Sequence, residues 1–160
     1  IWQDIESRLK DSRTISVICT SFNDAPDKVS TDILRYMKDS GLTKYISKRI
    51  IIFVLDKKGE AESISDLRYM DITEDMELKE IGREIRKEQI EGSLKNSLGL
   101  EDIDIVFFNS KEDGTEELMS ILTDKVLDLR KEHENKVKTI IESLDEIEKQ
   151  IDTKLSSEAL

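Results

Sequence analysis

The chain has 160 residues, of which 38% are charged and 5% aromatic, and its net charge is −11. That length suits one domain with a real core. The acidic balance excludes a nucleic-acid interface, which needs a positive surface to displace counterions from phosphate, and it disfavours an anionic membrane surface.

The single cysteine, Cys19, allows no internal disulfide framework and permits a reducing compartment. Within its apolar run it reads as a small buried hydrophobe. Ile1-Trp2 leads at once into charged residues, unlike a secretory leader. No run approaches the roughly 18 apolar residues of a membrane span. The expected location is the cytoplasm. A start at Ile1 rather than methionine suggests a domain cut from a longer polypeptide.

Along the chain, Ile1, Ile5 and Leu9 recur every four residues and predict an amphipathic helix over 1–11. A strand follows over 14–22, punctuated by Asn23-Asp24-Ala25-Pro26-Asp27. The next helix has Asp27 or Ser30 as N-cap, Ile33, Leu34 and Met37 as its inner face, and Ser40-Gly41 as its stop. Ile50 to Leu55 is six consecutive apolar residues, the mark of a strand covered on both faces in a parallel sheet. Residues 59–75 carry loop chemistry. A polar helix is expected from Asp75 to Asn96, frayed or broken at Gly82 and Gly92 because each costs about 1 kcal/mol relative to alanine. A third strand runs from Ile103 to Phe108.

From Thr115 nothing breaks helix for about 40 residues. Val137, Ile140, Leu144, Ile147 and Ile151 form an a/d seam two heptads long, with a stutter at His133. The expected organisation is an α/β domain over 1–130 and a helical extension over 131–160. The extension is a candidate coiled coil or partner-helix site; the alternative is that it folds back on its own domain. The fold class is therefore α/β, a small mainly parallel sheet with flanking helices and a long C-terminal helix.

Catalytic constellations are thin. His133 is the only histidine, and its place on the seam suits packing. There is no Cys/His cluster for zinc and no Gly-x-x-x-x-Gly-Lys-Ser/Thr loop to cradle phosphates. What remains is the set of strand tips. Parallel strands direct Asn23-Asp24, Asp56-Lys57-Lys58-Gly59 and Asn109-Ser110-Lys111 to one edge, where α/β sheets take ligands.

These elements, Ile15 to Phe22, Ile50 to Lys58 and Ile105 to Lys111 with the helix after them, resemble the C-terminal half of a GTPase-type P-loop domain. Dynamin-like and related large bacterial NTPases carry such domains. The resemblance covers roughly residues 1–130 and rests on element order and two short motifs. It implies that Lys57 lies where the motif lysine packs over the base, and that Asp56 replaces an Asn or Thr. Gly59 stands at the guanine-reading aspartate, whose two hydrogen bonds are lost unless Glu60 substitutes after a one-residue shift. It also implies that Asn109, Ser110 and Lys111 line the base in place of a Ser-Ala-Lys turn. Guanine, adenine and no nucleotide all stay open. Phosphate binding, hydrolysis and the magnesium ion accompanying GTP or ATP would then reside in an upstream part of the same polypeptide, and this chain alone would turn over nothing.

A second reading needs no nucleotide: a non-catalytic α/β interaction module that associates through Val137, Ile140, Leu144, Ile147 and Ile151. A receiver- or flavodoxin-like domain fits less well, since three strands are too few and no acidic cluster ends the first strand.

Overall fold

The computed structural model describes residues 2–11, 13–69 and 77–159, and the chain divides into two compact units, Ile1–Leu122 and Thr123–Leu160. The first unit is built on three strands, β1 (Ser16–Ser21), β2 (Ile50–Leu55) and β3 (Asp104–Phe108), in that order across the sheet and parallel throughout. Ser21 lies opposite Leu55, and Leu55 opposite Phe108. The three carboxyl ends are therefore level. The α/β class with a small parallel sheet, flanking helices and a long C-terminal helix is the observed one.

Crossovers that step in one direction across a sheet put their helices on one face. Helix α1 (Trp2–Lys10) precedes β1, while α2 (Lys28–Asp39) and α3 (Thr43–Arg49) join β1 to β2. Two 3-10 turns, Glu60–Ser63 and Ser65–Tyr69, and then α4 (Leu78–Leu98) join β2 to β3. One apolar cluster unites Ile18, Phe22, Ile52, Val54 and Ile105 of the covered face with Leu34 and Met37 of α2, Ile46 of α3, and Ile90 and Leu94 of α4.

The central strand is buried as an unbroken apolar run requires. Ile50, Ile51, Ile52 and Val54 are each 0% exposed, a burial worth about 1.5–3 kcal/mol per side chain. In β1 burial alternates: Ile18 and Thr20 are buried, whereas Val17, Cys19 and Ser21 are exposed. The expectation that Cys19 is buried is thus corrected. Its side chain is exposed with those of Val17 and Ser21 on one face of β1, and an apolar run alone cannot distinguish an edge strand from a central one.

Local chemistry sets the helix ends. Asp27 caps α2, its Oδ1 accepting from the Ser30 N–H and Oγ–H, both at 2.7 Å. Gly41, at φ +73°, takes the left-handed turn after α2, and the Leu42 N–H donates to the Met37 carbonyl at 2.8 Å. Helix α3 lies where the sequence shows no periodicity. Its seven residues are too few for one, yet it buries Ile46, and it stacks the Arg49 guanidinium 4.0 Å from the Tyr45 ring centroid.

Helix α4 runs unbroken through Gly82 and Gly92, which corrects the expected break. At Gly82 the reason is packing: a Cβ there would overlap the carbonyl oxygen of Ala61 in the first 3-10 turn. The glycine lets helix and turn touch. The expected start at Asp75 lies outside the described residues.

Helix α5 (Glu116–Glu158) begins in the first unit and supplies the second. Lys125 and Leu129 are buried. From Val137 to Leu155 the apolar side chains of its seam are each more than half exposed. Among the described residues, no helix is long and apolar enough to cross a membrane.

Candidate functional site

The hydrogen-bond ladder continues one residue past the strands. The Phe22 N–H donates to the Leu55 carbonyl at 3.0 Å, and the Asp56 N–H donates to the Phe108 carbonyl at 2.9 Å. Three loops, headed by Phe22, Asp56 and Asn109, thus leave the sheet side by side along one rim.

The loop after β2 is tied from below. Asp56 is 0% exposed; its Oδ1 accepts from the Glu60 N–H at 2.5 Å, while its Oδ2 meets no hydrogen-bond donor among the described residues. The Glu60 carboxylate turns back to accept from the Lys58 N–H at 2.9 Å. Gly59 makes the reversal possible at φ +72°, a conformation that costs residues with a Cβ. Burial, and then the neighbouring Glu60, push the Asp56 carboxyl above the ordinary aspartate range. The shared hydrogen bond with Asp56 holds Glu60 down. Lys57 and Lys58 project from this turn and are exposed.

The loop after β3 is built on a similar plan. Asn109 is 3% exposed, and its Oδ1 accepts from the Lys111 N–H at 3.0 Å. Its own N–H donates to Asp113 Oδ2 at 2.7 Å. Asp113 also accepts from Arg83 Nη2 at 2.5 Å and Lys79 Nζ at 3.4 Å, which fastens the loop to α4. Burial opposes the Asp113 charge, but Arg83, the Asn109 N–H and Lys79 outweigh it and hold the carboxyl below its usual range. Ser110 and Lys111 are exposed.

Behind the first loop, Phe22 is 0% exposed. The Arg86 guanidinium lies 5.1 Å from its ring centroid, and the Phe107 ring lies 5.8 Å away. Burial pushes the Arg86 guanidinium down, partly offset by the charge of Asp66. At the tip of β1, Ser21 Oγ donates to Asp24 Oδ2 at 2.5 Å.

The five residues singled out in the sequence therefore separate by role. Asp56 and Asn109 are buried turn anchors. Lys57, Ser110 and Lys111 stand exposed on neighbouring loops. Glu60, which a one-residue shift would bring to the guanine-reading position, has its carboxylate occupied within its own turn. Asp113, Arg83 and Lys79 were not legible as site residues. An Asp-Gly pair signals a turn and nothing more, and cations on a helix surface read as solvation.

A cavity of about 310 Å³ opens beside the third loop, lined by Arg83, Phe107, Phe108, Asp113, Glu116 and Leu118 among others. A larger hollow of about 430 Å³ lies at the amino end of β3 against α4, rimmed by Glu88, Glu91, Glu101 and Asp102. It is remote from the rim. Among the described residues, no group of three or more histidine, cysteine or acidic side chains could hold a metal ion. No protein-family model, no curated protein and no solved structure matches the chain.

Proposed function

We propose that the first unit is the base-side portion of a nucleotide-binding P-loop NTPase of the GTPase type, whose phosphate-binding half is not among these 160 residues. The observation that carries this reading is the level rim. Parallel strands end together, and the loops of β2 and β3 raise Lys57 and Lys111 over anchors buried beneath them. The methylene stems of the two lysines offer apolar cover to a planar base, and their ammonium groups suit an anionic ligand. Asp56 and Asn109 keep the loops in place without touching the ligand.

The open side of β1 supports the same reading. Residues 14–23 contain no charge in a chain that is 38% charged, and among the described residues β1 pairs only with β2. Natural edge strands are blunted by charge, proline or bulges, and parallel sheets are normally covered on both faces. An uncharged edge with an exposed outer face suits a sheet that continues beyond β1.

Gly59 and the inward-turned Glu60 leave no β2-loop carboxylate for the guanine edge, so the site takes adenine and guanine alike. A nucleoside triphosphate with magnesium would be held mainly by the phosphate-binding half, and this chain alone hydrolyses nothing. Helix α5 starts five residues after Lys111, close enough in sequence for a shift of the third loop to reach it. A cytoplasmic location accompanies this function.

Titration of the chain with fluorescently labelled AMP and GMP tests the reading. Both should bind in the high-micromolar to millimolar range with similar affinity. Joint reversal of Lys57→Glu and Lys111→Glu should weaken binding at least about tenfold, near 1.4 kcal/mol. Absence of binding at millimolar ligand, or binding indifferent to the reversal, would overturn it.

The exposed seam of α5 favours a second function that coexists with the first: association through the terminal helix.

A further inference from the structure

Two turns of α4 meet all three loops of the rim. Lys79 and Arg83 bind Asp113 of the third loop, Arg83 Nη2 at 2.5 Å, and the pair is largely buried. Gly82 lies against the Ala61 carbonyl, in the turn that closes the second loop. The Arg86 guanidinium lies 5.1 Å from the ring centroid of Phe22, which heads the first loop. From Lys79 to Arg86 the contacts thus begin at the tip of β3 and end at the tip of β1, with β2 between them as in the sheet. The lengths agree: seven residues of helix rise about 10 Å, and two strand spacings also cover about 10 Å.

We propose that this half of α4 is a brace that sets the three loops relative to one another, with Arg83 as its positioning residue. The sheet fixes only the base of each loop, where the Phe22 and Asp56 amides make the last bonds of the ladder. Beyond that point the second and third loops bond within themselves, Lys58 and Glu60 in one, Asn109 and Lys111 in the other. Among the described residues no hydrogen bond joins the two loops past the ladder. What they share is α4, whose backbone bonds hold neighbouring turns as one body. Gly82 and Arg83 are adjacent, so the helix cannot yield to the third loop without shifting against Ala61. Ala61 is 0% exposed and has no free space to retreat into. In the nucleotide reading, on which this consequence rests although the brace does not, a strand joining β1 is felt at Lys57 and Lys111.

Amide exchange in the ligand-free chain tests the brace, so its failure is distinct from a failure to bind nucleotide. Arg83→Gln cuts the arm to the third loop. The Lys58 and Glu60 amides, which Arg83 does not touch, should then exchange about tenfold faster, as the loss of one charged hydrogen bond allows. The Ile52 and Val54 amides of β2 should keep their protection. Arg86→Gln cuts the arm to the first loop and should speed the Lys58, Glu60 and Lys111 amides alike. Arg83→Lys keeps a cation for Asp113 and should restore the parent rates. If Arg83→Gln unfolds the sheet, Asp113→Asn cuts the same arm from the loop side and is held to the same result. Acceleration confined to the third loop, acceleration spread equally to β2, or no rescue by Arg83→Lys would overturn the proposal.

Discussion

Gly82 and Gly92 sit ten residues apart in one helix, and their replacement by alanine should act in opposite directions. In an exposed helix interior, alanine gains about 1 kcal/mol over glycine. At Gly92 nothing lies within 4 Å of the added Cβ, so Gly92→Ala should stabilise the first unit by about that amount. At Gly82 the same atom overlaps the Ala61 carbonyl oxygen. Ala61 is 0% exposed, and Ile64 and Leu67, in and before the second 3-10 turn, are buried beside it, so the turn cannot simply move into solvent. Overpacking of this kind costs about 1–3 kcal/mol, and a backbone clash belongs at the upper end. After subtracting the propensity gain, Gly82→Ala should destabilise by about 1–2 kcal/mol. The two variants should therefore differ by about 2–3 kcal/mol. Urea unfolding read through exchange of the Ile52 and Val54 amides isolates the first unit from α5. Equal stabilisation by both substitutions would refute the packing explanation for Gly82. The result bears on the site, because Ala61 directly follows Glu60, which closes the Lys57–Lys58 loop.

The other anchors make further checks. Asp113→Asn should cost about 2 kcal/mol, because Arg83 and Lys79 lose their carboxylate in a partly buried cluster; urea midpoints measure it. The folded Asp113 carboxyl lies below its ordinary value of 3.8, so its stabilisation is fully present above that pH and is lost as pH falls through the folded value. The acid limb of the stability profile should flatten in Asp113→Asn. Asp56 has the opposite sign: its folded value is raised above 3.8, so ionising it costs stability as pH rises through the folded value. Asp56→Asn should remove that loss and be neutral or stabilising at pH 7, whereas Asp56→Ala should cost about 1–2 kcal/mol by orphaning the Glu60 N–H. Cys19 should react with a thiol reagent in the native chain, without denaturant and with β2 exchange unchanged, as its exposure on β1 requires.

The strands were legible because each carries its signal locally. Ile50 to Leu55 has no polar residue to turn outward, so only a doubly covered position suits it, and central placement follows. The shared rim was legible for the same reason, since the polar tip residues follow each apolar run directly. What could not be read depends on neighbours distant in sequence. Cys19 looks as apolar-flanked as Ile52, yet it lies on the first strand of the sheet order rather than the central one, and its side chain is exposed. Gly82 resembles Gly92 until Ala61, 21 residues upstream, is brought against it. Asp113 gains its role only when α4 delivers Arg83 and Lys79 to the third loop. Asp56 and Lys57 are adjacent and polar, and only the fold separates the buried anchor from the exposed lysine.

The most direct test of the nucleotide reading is a map of backbone amide shifts in the native chain on addition of AMP and of GMP. Perturbations from both nucleotides should concentrate at Lys57 to Glu60 and Asn109 to Lys111, leaving the amino end of the sheet around Ile103 quiet. Shifts centred on the hollow between α4 and β3, or none at the two loops at millimolar nucleotide, would contradict it.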